Sequence, residues 1–173
     1  MLVLGIDPGT QHMGYAVVSS GPQPSPVDYG VVSLPSKMPI GQRLYQLHTH
    51  ILNMIAIFDP AAVAVEQPFV GKGERQFIGP AIAVGQAQAL VLIGAASAGI
   101  PVFTYSPAQV KLAVANYGAA TKEQMQQSVT ATLGLTEIPP TDAADALSIC
   151  LCHLMQEHVA DVLGREISPG SER

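Results

Sequence analysis

Apolar residues fall along this chain in two ways, as short runs that end in an acid or a turn and as longer stretches with helical spacing. Leu2-Val3-Leu4-Gly5-Ile6 leads into Asp7 and is closed by Pro8-Gly9, a run with the length of a strand and too short for an ordinary helix. Tyr15-Ala16-Val17-Val18 follows as an antiparallel return, and Gly30 to Leu34 reads as a third strand after a Pro-rich connection from Gly21 to Pro26. Leu44, Leu47, Ile51, Leu52, Ile55 and Phe58 then recur at helical spacing until Asp59-Pro60 stops them. Ala61 to Val65 is a second apolar run ending in an acid, Glu66, with Pro68 breaking it. A Gly-rich basic connection, Gly71-Lys72-Gly73-Glu74-Arg75, precedes a long apolar helix predicted from about Gly79 to Ala98. Pro101 to Tyr105 is the next strand, and Ser106 with Gln109, then Thr121 with Gln124, have the spacing of capping boxes opening two helices. Pro139-Pro140-Thr141 forces a turn before a last helix that fades near His158. The pattern predicts an α/β fold: three antiparallel strands, a helix, a strand, a helix, a strand, and then helices.

Composition narrows the class. With 173 residues of which 48% are hydrophobic, the chain can bury one good core, so we expect one domain over residues 1–160 and a polar, frayed tail over 161–173. Only 12% of residues are charged, which excludes disorder over most of the length. Cys150 and Cys152, two apart in an apolar helix, point to different sides and suggest no disulfide framework, which fits a reducing, cytoplasmic setting. The N-terminal residues carry no export pattern, and Gln86 with Gln88 interrupts the most apolar segment, so no membrane association is expected. A net charge of −5 weighs against a nucleic-acid partner only if the charge is evenly spread.

The acids carry the chemistry. Asp7 at a strand end is either hydrogen-bonded by its turn or faces a cation. Asp142 and Asp145, three apart at a helix start, share a face; locally they suit a helix cap and capping-box acid as well as a pair of ligands. Together with Glu66 they make four hard oxygen donors, a set that suits Mg²⁺ or Mn²⁺ and not zinc. Two such ions about 4 Å apart can hydrolyse a phosphodiester without a protein nucleophile. Cys150, Cys152 and His153 fan out on one helix and read as core packing, and His12, close to Asp7 in sequence, is a weaker candidate.

Three motifs in order, Gly5-Ile6-Asp7-Pro8-Gly9-Thr10, Val65-Glu66-Gln67-Pro68-Phe69 and Asp142-Ala143-Ala144-Asp145-Ala146-Leu147, resemble the RuvC family of Holliday-junction resolvases. The likeness runs from Met1 to about His158. The first motif alone would also suit sugar kinases and actin-like ATPases, but the chain shows no second Gly-rich phosphate loop. The resemblance implies an RNase H-like mixed five-stranded sheet, three antiparallel strands plus two parallel, with helices on both faces. It further implies that Asp7, Glu66, Asp142 and Asp145 hold two Mg²⁺ or Mn²⁺ ions, and that Lys111 and Lys122 lie near the scissile phosphate, although Lys122 also suits a solvated helix face. Phe69 aligns with an aromatic that stacks on junction bases and otherwise suits a core or rim position. Lys72 and Arg75 are candidate phosphate contacts or simply solvated loop bases. The implied activity is paired symmetric nicking of four-way junction DNA, leaving a 5′ phosphate. Expected partners are a second copy of the chain, joined through the apolar helix 79–98, and the RuvA and RuvB branch-migration proteins. Other RNase H-like nucleases acting on RNA–DNA hybrids, and a non-catalytic junction-binding module, are the alternatives.

Overall fold

The computed structural model describes residues 1–67 and 78–164; Phe69, Lys72 and Arg75 lie outside the described residues. In chain order the elements are β1 (Leu2–Asp7), β2 (His12–Ser19), β3 (Ser25–Ser33), α1 (Ile40–Phe58), β4 (Ala62–Glu66), α2 (Ile78–Ser97), β5 (Val102–Tyr105), α3 (Pro107–Ala115), α4 (Lys122–Leu133) and α5 (Thr141–Val162). The strands form one sheet in the order β3-β2-β1-β4-β5. β1 runs antiparallel to β2 and parallel to β4, β2 antiparallel to β3, and β4 parallel to β5. This is the predicted mixture of three antiparallel and two parallel strands.

Side-chain alternation sends the sheet's residues to two helical layers. Leu4, Ile6, Met13, Val17 and Val63 pack with Leu47, Ile51 and Met54 of α1 and Val91 of α2. Val3, Ala16, Val18, Ala64 and Phe103 pack with Val110, Met125, Val129 and Leu147 from α3, α4 and α5. A central strand covered on both faces must be apolar at every position, which explains why the β1 run shows no polar alternation. Both predicted capping boxes form: Ser106 and Thr121 accept from the backbone N–H of Gln109 and Gln124, whose side chains accept in return. Asp59 ends α1 in the left-handed region at φ 44°.

Two boundaries differ from expectation. β3 begins at Ser25, inside the segment expected to be a connection, and includes Pro26. An edge strand tolerates a residue without an N–H, and the register slips by one residue at Val17/Val18 to accommodate it. α5 continues to Val162, beyond the expected fading near His158. Cys150 and Cys152 are free and buried, as core packing requires.

Candidate active site

Strand register sets two carboxylates side by side. In the parallel β1–β4 pair Ile6 lies opposite Val65, so the next residues, Asp7 and Glu66, end their strands at the same level. Alternation places both on the face that Val3, Ala62 and Ala64 share with α5. Glycine lets that helix approach. A Cβ on Gly14, the cross-strand partner of Asp7, would overlap the Asp142 carbonyl, and one on Gly5 would overlap the Ala146 carbonyl and the Cys150 sulfur. Buried Ala143, Ala144 and Ala146 keep the helix side thin. Asp142 and Asp145 therefore reach Asp7, and carboxylate oxygens of the three lie within 4.8 Å of one another. The alternative of a helix cap is excluded: the N-cap position is Pro140, and no side chain caps the helix.

Crowding of like charge in a half-buried site raises proton affinity. Asp7 is pushed up to about 7, first by burial and then by Asp145, Glu66 and Asp142. Glu66 is pushed up to about 7 by burial and by Asp145, so it shares the field although it stands outside the close trio. Burial, with Asp142 adding, also raises Asp145. Two lysines oppose this. Lys122 lowers the proton affinity of Asp7, Glu66 and Asp145, and Lys111 that of Glu66 and Asp145. Among the described residues no lysine stands within 4 Å of a carboxylate oxygen, so both ammonium groups act on the carboxylates from beyond contact. An all-oxygen donor set, only partly offset by two lysines beyond contact, fits a hard divalent cation.

The sequence did not single out Arg43. This residue of α1 donates from Nη1 to the Thr10 carbonyl at 3.4 Å and to its hydroxyl at 3.5 Å, long bonds that reach the turn following Asp7. Its buried Nε has no partner among the described residues. Nor did the sequence mark Tyr105, level with Glu66 in the β4–β5 pair, whose hydroxyl bonds His153 Nδ1 at 2.7 Å. Neither had a signal, because a helix arginine and a strand tyrosine are both ordinary. His12 instead meets Ser33 at 3.2 Å.

A family model described as crossover junction endodeoxyribonuclease RuvC matches residues 3–153. The chain belongs to the RuvC family. A RuvC relative from Desulfitobacterium hafniense is 47% identical over 167 residues, covering 95% of this chain and 97% of that protein. One from Chloroflexus aggregans is 47% identical over 155 residues, covering 88% and 92%. Among solved structures, T. thermophilus RuvC in complex with Holliday junction substrate matches with TM-score 0.84 and 38% identity, over 92% of this chain and 96% of that one. The fold is thus RNase H-like. A yeast mitochondrial Holliday junction resolvase, Ydc2, shares it at TM-score 0.66 and 15% identity, a likeness of fold alone. The span matched by the RuvC model contains all four carboxylates and both lysines.

Proposed function

We propose that the protein is a metal-dependent endodeoxyribonuclease that resolves Holliday junctions by paired symmetric nicks, serving DNA recombination and repair. The observation that carries this is the acid cluster, three carboxylates within 4.8 Å with Glu66 one strand away, in a chain whose RuvC relatives are named for junction cleavage. In this reading Asp7, Glu66, Asp142 and Asp145 hold two Mg²⁺ or Mn²⁺ ions. Bound there, the ions supply Lewis acidity for phosphodiester hydrolysis that leaves a 5′ phosphate and a 3′ hydroxyl. The strand ends and α5 hold the ligands on rigid elements, and Lys111 and Lys122 balance charge developing on the phosphate. Phe69, Lys72 and Arg75 contact the DNA.

A junction is nearly two-fold symmetric, so two matched nicks call for two sites in a C2 homodimer. Ile82 and Ile93, eleven residues apart and hence on one side of α2, are 56% and 58% exposed, and Tyr45 and Ile57 on neighbouring α1 are each 72% exposed. That uncovered apolar surface supports pairing through α1 and α2. RuvA and RuvB are the expected branch-migration partners, and a DNA substrate is consistent with a cytoplasmic setting. Among the described residues no helix is long and apolar enough to cross a membrane.

The deciding experiment incubates the protein, and Asp142→Asn, with a mobile four-way junction, a linear duplex and an RNA–DNA hybrid, with and without Mg²⁺ or Mn²⁺. Symmetric metal-dependent nicks in the junction alone, absent in the variant, are expected. Preferential cutting of the hybrid, or binding without cleavage, would overturn the proposal.

A further inference from the structure

The two ends of α5 have different surroundings. From Ala143 to Leu154 almost every residue is buried under the sheet, α3 and α4. Past that point the helix emerges with its apolar side uncovered. Met155, Val159 and Val162, spaced by four and three residues along one stripe, are 47%, 51% and 71% exposed. Beside the stripe lies a groove of about 710 Å³ between α5 and the β2–β3 connection, lined by Leu151, Leu154, Met155, Val159, Pro22 and Pro24 among others. Single exposed apolar residues are ordinary, but a stripe bordering a groove is not.

The rim is acidic. Glu157 and Asp161 line the same groove. They stand at i and i+4, where like charges repel, and at the helix end that carries negative partial charge. No basic residue occupies the last turn. His153 Nε2, 3.6 Å from Glu157 Oε1, supplies no charge at neutral pH, because burial lowers its pKa to about 4. The remaining groups facing the groove are His158 and the Met1 ammonium, which donates to Ser20 Oγ at 2.7 Å and draws on Glu157.

We propose that this groove is a docking surface for a basic amphipathic helix of a partner protein, which lays its apolar face along Met155 and Val159 and its cations against Glu157 and Asp161. Charge complementarity selects that occupant. A second copy of this chain would bring two like-charged rims together, and a DNA strand would be repelled. Fourteen residues of helix, about 21 Å, separate Asp145 from Val159, so docking leaves the acid cluster free for DNA. The mode is helix-in-groove recognition, read through anchors at i, i+4 and i+7.

The test titrates the full chain, in Mg²⁺, with a fluorescent synthetic helix of about 18 residues, roughly 27 Å long, bearing leucines on one face and lysines on the other. A twin with glutamate for lysine and a scrambled peptide are controls. The lysine peptide is expected to bind at least tenfold tighter than either control. Val159→Asp should weaken it at least tenfold, Glu157→Lys with Asp161→Lys should transfer preference to the glutamate twin, and junction cleavage by all of these variants should be unchanged. Met155→Glu is the second probe if Val159→Asp does not fold. Equal binding of both peptides, or loss of binding in Asp142→Asn rather than Val159→Asp, would overturn the proposal. So would a sedimentation mass that Val159→Asp halves relative to the wild type, which would make this face a contact between copies.

Discussion

Replacing Gly14 by alanine should damage stability and catalysis together, because one contact serves both. The added Cβ would run into the backbone carbonyl of Asp142, an atom that cannot swing aside as a side-chain tip can. Overpacking typically costs about 1–3 kcal/mol, and a backbone obstacle belongs at the upper end. Restricting the unfolded chain returns about 0.4–1 kcal/mol, leaving a net loss of roughly 2 kcal/mol. For a chain of this size that lowers Tm by about 4–8 °C. Relief requires the first turn of α5 to lift from β2, and a displacement of about 1 Å at a reacting centre costs on the order of 100-fold in rate. The assays are calorimetric unfolding and single-turnover junction cleavage in Mg²⁺ at a temperature where both proteins are folded. Gly85→Ala in α2 is the control, since a Cβ there meets nothing within 4 Å, and it should stabilise by about 0.5–1 kcal/mol. A Gly14→Ala protein with wild-type Tm and wild-type cleavage would refute the argument that this glycine seats the helix and its two acids.

Three further predictions rest on the site's charge and caps. Asp7→Asn should abolish cleavage yet raise Tm in chelator at pH 8, since the lost charge is one the metal-free fold holds at a cost on the order of 4 kcal/mol; a lower Tm would contradict this. The folded-state pKa of Asp7 and Glu66, about 7, lies above the unfolded values near 4, so their contribution is fully present below pH 4 and is lost as pH rises through 7. Metal removes that loss, so the Tm difference between Mg²⁺ and EDTA should widen from pH 5 to pH 8, a comparison in which the opposite, acid-side loss from His153 cancels. Thr121→Ala should cost about 1 kcal/mol through its capping box and, by loosening the turn that carries Lys122, slow cleavage more than Ser106→Ala does relative to the stability each loses.

The carboxylates were legible because each sits where a simple period ends. Asp7 and Glu66 close apolar runs of strand length, and Asp142 with Asp145 follows a double-proline turn at helical spacing. The mixed sheet was legible for the same reason, since the segment types leave few right-handed arrangements. What sequence could not decide was whether Asp142 and Asp145 cap their helix or face Asp7. That depends on how closely α5 lies on β2, and a glycine in a strand looks the same whether it makes a bulge, a weak point or a landing place. Only the register of Gly14 against Asp7, with the Asp142 carbonyl above it, distinguishes these. Arg43 was illegible for a related reason: its contact with Thr10 joins residues 33 apart, and no local pattern encodes that distance.

The arrangement also explains why so costly a cluster can persist. Carboxylates crowded this closely, with Asp7, Glu66 and Asp145 raised in proton affinity by burial and by their neighbours, would relax apart if they stood on loops. Here two are fixed by the ends of buried parallel strands and two by the start of a helix that is almost wholly buried from Ala143 to Leu154, so separating the charges would mean unpacking the core. In the proposed function that retained repulsion becomes affinity for a divalent ion, with the core on the α5 face as the counterweight. It follows that substitutions along that face, at Leu147 or Ile149, should weaken metal-dependent stabilisation before they unfold the protein. Equal volume changes on the opposite face, at Leu47 or Ile51, should lower stability with and without metal alike.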